Sequence, residues 1–174
     1  YTMANGILNL TKVENQSILT NVTEYNLSEQ IRLTVLLLES KWTARNINMN
    51  IDFGEYTINA NEEMMKQVWI NLLDNAIKFS PEGEEISIRI SKKNEHIYVS
   101  ISGKGPHIED EEINKIFRKF YQSDSSHSTE GTGIGLALVS RIIELHKGRI
   151  EVNSDKNINT FTVISVSYTH LRAH

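Results

Sequence analysis

The stretch NLLDNAIKFS, residues 71–80, combines a line of polar side chains with an apolar stripe. Asn71, Asn75 and Lys78 are separated by four and three residues, so on a helix they share one narrow face while the apolar residues turn the other way. Asn is also a poor residue for a helix interior. Two amides and an ammonium in a line can ligate a hydrated Mg²⁺ and hold phosphate oxygens. A solvated helix face is the alternative that this stretch alone leaves open.

The helix that carries this stripe has clear ends in the sequence. Asn61 is a suitable N-cap, and two glutamates follow in the first turn, where negative charge suits the helix dipole. Ser80-Pro81 stops the helix after Phe79. We therefore predict one helix from Asn61 to Phe79.

Upstream of this helix the pattern predicts two strands around another helix. VTEYNL, residues 22–27, is a short strand candidate, and Ser28 is a good N-cap for a helix that fades near Arg45. INMNIDF, residues 47–53, alternates apolar and polar residues as a half-buried strand does. Residues 56–58 are expected to add a short partner strand.

Downstream, two hairpins and two helices are predicted. EISIRISK and HIYVSIS alternate on either side of the short polar turn 93–95, which favours an antiparallel hairpin. A short helix is expected around residues 110–118. A last helix from about Gly133 to His146 ends at Lys147-Gly148, and RIEVNS with NTFTVISVS forms the final hairpin.

This order of elements predicts an α+β fold. Helices and strands do not alternate one for one, so a two-layer α/β sandwich is favoured, with a mixed, mostly antiparallel sheet of about five strands packed on three helices.

The segment GTGIGLALVSRI, residues 131–142, places Gly131, Gly133 and Gly135 at the threshold of the last helix. Glycines there let backbone N–H groups approach a triphosphate closely, and the helix N-terminus adds favourable partial charge. The spacing is neither that of a P-loop nor that of a Rossmann fingerprint. A flexible hinge before a helix is the alternative.

FRKFYQSD, residues 117–124, packs aromatic residues beside Arg118 and Lys119. The aromatic residues could anchor the hinge of a lid that brings a cation to the phosphates on closure. A satellite hydrophobic cluster with a solvated basic edge is equally compatible with these residues. The six histidines are scattered and show no metal-ligand spacing, so none is assigned to a metal.

Composition limits the function classes. The 174 residues carry 18 Lys and Arg against 22 Asp and Glu, for a net charge of −4, which argues against a broad nucleic-acid-binding surface. Without cysteine there are no disulfides, thiolate metal sites or cysteine nucleophiles. No apolar run approaches a membrane span, and the opening residues YTMANGILNL lack the basic flank and long apolar core of a signal peptide. A soluble, cytoplasmic domain is expected.

Taken in order, NLLDNAIKFS, a glycine loop after a strand, FRKFY and GTGIGLAL resemble the catalytic, ATP-binding domain of sensor histidine kinases, in the Bergerat-fold superfamily. The resemblance covers about residues 22–167. It divides the chain into residues 1–16, the end of a dimerisation and phosphoacceptor helix; residues 17–168, the catalytic domain; and residues 169–174, a tail for which a non-native origin is one interpretation.

The resemblance implies a role for each motif. Asn75 would coordinate Mg²⁺, Asn71 and Lys78 would contact phosphates, and Lys119 would be the cation of the lid hinge. The full implied ATP site is Asn71, Asn75, Lys78, Phe79, Gly103, Gly105, Lys119, Tyr121, Gly131, Thr132, Gly133, Gly135 and Leu136. Hydrolytic relatives place a Glu where Asn71 stands, so transfer to another group is expected rather than ATP hydrolysis.

Two departures from the family pattern are visible. The first glycine box is typically D-x-G-x-G, with an Asp that binds the adenine amino group, but this chain reads ISGKGPHIED. Without gaps, Gly103 stands at the Asp position; if GKG is matched to the paired glycines instead, Ile101 and Ser102 precede it. Neither register supplies a carboxylate, so weaker adenine binding is expected unless Ser102 or a water molecule takes its place. The second departure concerns the phosphoacceptor motif of the family, a His followed by an acidic residue and, a few positions on, by Pro. No His of this sequence has that arrangement. We therefore expect the accepting histidine to lie in a segment outside this chain.

The predicted function is therefore a protein histidine kinase domain, a transferase of a two-component phosphorelay in signal transduction, with ATP and Mg²⁺ as cofactors. A nucleotide-binding-impaired scaffold is the alternative, because the adenine-binding Asp is absent. Expected partners are the phosphoacceptor helices of a homodimeric, membrane-anchored parent and its response regulator, without nucleic acid or direct membrane contact.

Overall fold

Seven strands and five helices are found in the computed structural model, which describes residues 18–118 and 135–165. In chain order they are β1 (Val22–Asn26), α1 (Leu27–Leu37), α2 (Glu39–Ala44), β2 (Asn48–Ile51), β3 (Thr57–Asn61), α3 (Glu62–Phe79), β4 (Glu85–Lys93), β5 (His96–Lys104), α4 (Asp110–Ile113), α5 (Gly135–Leu145), β6 (Arg149–Asp155) and β7 (Ile158–Ile164).

Five strands form the main sheet in the order β2-β4-β5-β7-β6. Strand β2 runs parallel to β4, and the other neighbours are antiparallel. Strands β1 and β3 form a separate antiparallel pair. The predicted two-layer α+β fold with a mixed, mostly antiparallel sheet is confirmed.

One face of the main sheet is covered by the helices. Alternate side chains of β4 and β5 are buried, and the positions between them are partly or fully exposed. Helices α1, α3 and α5 contribute the other half of the core, including Ile31, Trp69 and Leu138, each at most 1% exposed. Burial of one stripe of each helix against one face of the sheet is the main stabilising contribution to this layer packing.

Both predicted hairpins turn through two residues with positive φ. Asn94 and Glu95 have φ of 52° and 69°, and Lys156 and Asn157 have φ of 52° and 64°. Positive φ at both central residues is the mark of a type I′ turn, whose twist matches that of the flanking strands. The turn therefore fixes the register of each pair.

Several sequence expectations need correction. The first helix is capped by Asn26, whose side chain accepts from the N–H of Glu29, and it ends at Leu37 before the separate α2. Ser28 is buried inside the helix and donates to the carbonyl of Gly54. Residues 56–58 lead into β3, which pairs with β1 rather than with residues 47–53.

Helix α3 follows the prediction closely. Asn61 caps it by accepting from the N–H of Met64 at 3.0 Å, and the helix ends at Phe79. Its start is tied to the end of α5, because the N–H of Asn61 donates to Nε2 of His146 at 3.1 Å. The two helices are therefore linked where one begins and the other ends.

The last predicted helix is described from Gly135 to Leu145, and its C-terminal signal lies where expected. Lys147 takes the left-handed conformation, and the N–H of Gly148 donates to the carbonyl of Ile143 at 3.0 Å. Around residues 110–118, only Asp110–Ile113 is α-helical. Within the described ranges, no helix has the length and apolar character that a membrane crossing requires.

Candidate functional site

The polar stripe of α3 has the arrangement that its spacing predicts. Asn71, Asn75 and Lys78 are each partly exposed, whereas Trp69 and Leu73 on the core side are buried. The sequence places them this way because three- and four-residue steps return to the same face of a helix. The stripe is therefore an accessible line of two amides and an ammonium.

Asn71 meets the first residue of α5. Its Nδ2 donates to the carbonyl of Gln67 at 2.7 Å, which turns Oδ1 away from α3. A Cβ atom at Gly135 would lie 2.7 Å from this Oδ1, a separation that Cβ atoms do not adopt. A Cβ atom at Gly135 would therefore require the Asn71 amide to move, and the structure brings Asn71 and Gly135 together.

Asn75 and Lys78 keep their polar groups available. Within residues 18–118 and 135–165, neither side chain makes a hydrogen bond or an ion pair. The acidic neighbour Asp74 is engaged elsewhere, because its Oδ1 lies 2.8 Å from Nζ of Lys41. The amide oxygen of Asn75 and the ammonium of Lys78 can therefore face a ligand directly.

Phe79 and Gly105 meet at the other end of the stripe. A Cβ atom at Gly105 would lie 3.5 Å from the carbonyl oxygen and 3.6 Å from Cβ of Phe79. Gly105 follows β5, so the chain that leaves the central strand passes directly over the end of α3. The stripe is bounded by a glycine backbone at each end.

Gly103 lies on the helix-facing side of β5. Ile97, Val99 and Ile101 are buried on that side, and Gly103 continues the alternation. A Cβ atom there would be 3.3 Å from Cγ1 of Ile86. The position where the family pattern has an Asp therefore faces the helices and carries no side chain.

Ser102 faces the opposite side of the sheet. Its Oγ lies 2.8 Å from Oγ1 of Thr160 on β7. Because successive residues of a strand point to opposite faces, Ser102 cannot replace a carboxylate at the helix-facing position. The sequence expectation that Ser102 could bind the base is wrong for this geometry.

The remaining predicted site residues divide into two groups. Leu136 is partly buried and packs against the core at the start of α5. The others lie outside the described residues: Lys119, Tyr121, Gly131, Thr132 and Gly133.

Sequence reasoning missed a polar cluster beside Gly105. Ser154 and Asn159 are cross-strand partners of the last hairpin, and both bond to the loop that follows Gly105. His107, treated as a scattered histidine, places Nδ1 3.0 Å from Oγ of Ser154. The two-residue turn at 156–157 was a usable signal, since it makes Ser154 and Asn159 direct neighbours.

The described residues can support a magnesium nucleotide but not a metal site made of protein ligands alone. They contain no group of three or more His, Cys, Asp or Glu side chains that could hold an ion. Mg²⁺ bound with a nucleotide uses one or two protein oxygens and completes its shell with phosphates and water. The free amide oxygen of Asn75 fits this requirement.

Comparisons with known proteins identify the family of this chain. Residues 60–170 match the model of the histidine kinase-, DNA gyrase B- and HSP90-like ATPase family. The adaptive-response sensory kinase SasA of Prochlorococcus marinus is 39% identical over 138 residues, which cover 77% of this chain and 36% of the relative. The probable sensor kinase SilS of Salmonella typhimurium is 28% identical over 170 residues, 94% of this chain and 34% of the relative.

Solved structures give the same assignment. The catalytic domain of the histidine kinase ThkA, in a nucleotide-free form, superposes with a TM-score of 0.77 at 31% identity and covers 85% of this chain and 97% of that domain. The chain spans about a third of the length of the curated relatives named above, 36% and 34%. It belongs to the histidine kinase-, gyrase B- and HSP90-like ATPase family, as an ATP-binding catalytic domain of the sensor histidine kinase type.

Proposed function

We propose that this chain binds Mg-ATP along the stripe of α3 and positions the γ-phosphoryl group for transfer to a histidine outside this chain. The observation that carries the proposal is the close approach of Gly135 to Asn71, where a Cβ atom would lie 2.7 Å from Oδ1. This approach brings the start of α5 beside the polar stripe, which supports a site in which the first N–H groups of α5 and the amides of α3 would face one ligand.

The residues divide the work along the stripe. Asn75 would supply the amide oxygen for Mg²⁺, and Asn71 and Lys78 would contact phosphate oxygens.

The same proposal gives roles to residues outside the stripe. Gly131, Gly133 and Gly135 would wrap the phosphates. Lys119 supplies a cation, and Phe79 and Leu136 line the pocket, together with Tyr121 and Thr132. When bound, Mg²⁺ would neutralise part of the phosphate charge. The residues of this chain would hold the nucleotide in the orientation that phosphoryl transfer requires.

Transfer is favoured over hydrolysis by the chemistry of Asn71. An amide cannot accept a proton from water at neutral pH, so the position lacks the general base that water activation requires. The acceptor histidine would supply the nucleophile itself. Phosphate release by the isolated domain at a rate comparable with transfer would contradict this assignment.

The family supports a proposal for the partners. ThkA has been solved in a complex with the response regulator TrrA, and that structure covers 94% of this chain at 25% identity and a TM-score of 0.77. We propose a response regulator as the downstream partner, and phosphoacceptor helices of a homodimeric, membrane-anchored parent as the upstream one. Residues 17–168 would be the catalytic unit on the cytoplasmic side.

Calorimetric titration with ATP, with and without Mg²⁺, tests the proposal. Asn75→Ala should weaken Mg-ATP binding by about tenfold to a hundredfold, because a polar contact to a charged group is lost. Asn153→Ala, on the exposed edge of β6, is the matched control and should bind as the unmodified chain does. The proposal fails if the unmodified chain binds no Mg-ATP.

A further inference from the structure

Ser154 and Asn159 form a polar bridge, which we call the hairpin clamp, between the last hairpin and the loop 105–108. The N–H of Ile108 donates to Oγ of Ser154 at 2.9 Å, and this hydroxyl donates to Oδ1 of Asn159 at 2.6 Å. Nδ2 of Asn159 then donates to the carbonyl of Pro106 at 3.0 Å. The clamp thus bonds one donor and one acceptor of the loop backbone.

The hydroxyl of Ser154 is fully used in this arrangement. A serine hydroxyl has one proton to donate and two lone pairs to accept with. Its proton goes to Asn159 and one lone pair takes the N–H of Ile108, so Nδ1 of His107, 3.0 Å away, must be the donor to the other lone pair. Ser154 therefore acts as a structural junction and is not an activated nucleophile.

The hairpin holds a third backbone group of the same loop. The N–H of Gly105 donates to the carbonyl of Asn157 at 3.0 Å, in the two-residue turn between β6 and β7. Because Ser154 and Asn159 are paired in register on either side of this turn, all three bonds come from one rigid end of the hairpin. The loop position is therefore set by the hairpin.

The other side of the loop lies against α3. A Cβ atom at Gly105 would lie 3.0 Å from Nδ2 of Asn159 and 3.6 Å from Cβ of Phe79. Gly105 therefore lies where the clamp meets the end of the stripe. A shift of Asn159 would change the packing at this junction.

The two glycine contacts mark the ends of the site. Gly135 meets Asn71 and Gly105 meets Phe79, and eight residues of helix separate these contacts by about 12 Å. With the phosphates at the Gly135 end, as proposed above, the nucleoside half would lie at the Gly105 end.

We propose that Ser154 and Asn159 are positioning residues that set the affinity of the site for the nucleoside half of the nucleotide without touching its phosphates. The inference rests on the proposed function, and it assigns a role to two residues of the last hairpin that the nucleotide itself would not contact. It predicts that loss of the clamp weakens Mg-ATP binding and leaves the binding of inorganic Mg-tripolyphosphate unchanged.

The decisive variants are Asn159→Asp and Ser154→Ala. Asn159→Asp keeps an acceptor for Ser154 and nearly the same shape, but it removes the donor to Pro106 and places a carboxylate against that carbonyl. Asn153→Ala, one residue from Ser154 and exposed, is the control. Titration calorimetry with Mg-ATP and with Mg-tripolyphosphate gives the two affinities, and the thermal midpoint shows that each variant is folded.

We expect both clamp variants to bind Mg-ATP at least about threefold more weakly, because each loses at least one hydrogen bond that positions the loop, with tripolyphosphate affinity within twofold of the unmodified chain. Unchanged Mg-ATP affinity in both variants, or an equal loss for both ligands, would overturn the positioning role while leaving the proposed function intact. If the unmodified chain binds neither ligand, the proposed function itself fails.

Discussion

Asn71 and Gly135 approach each other so closely that the α carbon of Gly135 has no room for a substituent on the side of the Asn71 amide, since a Cβ atom would lie 2.7 Å from Oδ1. The hydrogen bond from Asn71 to Gln67 holds the amide in this position. Two helices that are far apart in the chain thus pack against each other at one end of the polar stripe.

This fit gives a prediction for Gly135→Ala. In the unmodified chain the added methyl group must displace the Asn71 amide, so we expect lower stability and weaker Mg-ATP binding. In an Asn71→Ala background the obstacle is gone, and alanine's helix propensity should make the same substitution neutral or stabilising by up to about 1 kcal/mol. Urea unfolding of the four proteins in this double-mutant cycle checks the sign change. Equal effects in both backgrounds would contradict the close contact.

Gly103 provides a second prediction, on base recognition. Asp at this position would point to the helix-facing side of β5, where an adenine amino group could donate to it, so Gly103→Asp should strengthen Mg-ATP binding by about tenfold. Inosine triphosphate lacks that amino group and should gain nothing. Gly103→Ala isolates the packing cost against Ile86, since the Cβ separation of 3.3 Å requires a small shift. Equal gains for both nucleotides would show that the carboxylate does not recognise the base.

His146 makes the stability of the domain depend on pH. Burial lowers the pKa of its imidazole, and the neutral ring is held by accepting from the N–H of Asn61 through Nε2 while Nδ1 contacts the carbonyl of Ile142 at 2.8 Å. The unfolded chain then binds more protons than the folded chain just below pH 6.5. The free energy of unfolding should therefore fall as the pH drops from 6.5 towards the lower pKa of the folded state.

The matched variant for this effect is His146→Gln, which keeps one donor and one acceptor without titrating. Urea unfolding between pH 5 and 8 should give the unmodified chain a slope that exceeds that of the variant by up to about 1.4 kcal/mol per pH unit below pH 6.5. Identical slopes in the two proteins would remove His146 as the cause.

Gln30 is the centre of a buried hydrogen-bond network, and its loss should be costly. Its Oε1 accepts from the Tyr25 hydroxyl and from Nε1 of Trp69, both at 2.8 Å, and its Nε2 donates to the carbonyl of Glu62 at 2.9 Å. Burial raises the pKa of Tyr25, which keeps its hydroxyl protonated as a donor.

Gln30→Met preserves the volume but leaves these groups without partners, so we expect a loss of about 2 to 4 kcal/mol in the free energy of unfolding. Urea denaturation measures it. A change below about 0.5 kcal/mol would show that the network contributes little.

The sequence predicted what is local and missed what depends on distant partners. The alternation of β4 and β5 and the cap at Asn61 are encoded within a few residues, and both are confirmed. The parallel pairing of β2 with β4 could not be predicted, because the alternation within a strand does not indicate which other strand it pairs with. Ser28 looks like a cap by residue type, yet it bonds to Gly54 far along the chain.

The candidate site shows the same division. Helical spacing places Asn71, Asn75 and Lys78 on one face, and their accessibility in the structure agrees with it. Ser154 and Asn159 bond to the loop 105–108 because of the way the hairpin packs beside β5. The spacing of residues in the sequence does not predict this long-range packing.

The glycine contacts at the two ends of the stripe also bear on how this family can diversify. The chain departs from α3 at Gly105 and returns to it at Gly135, so the intervening segment begins and finishes on one helix. In general, the entropic cost of joining two fixed points by a chain rises by only about 0.6 kcal/mol for each doubling of the chain length. Evolution, or an engineer, can therefore exchange this segment for a longer or shorter one while the scaffold beneath it stays unaltered.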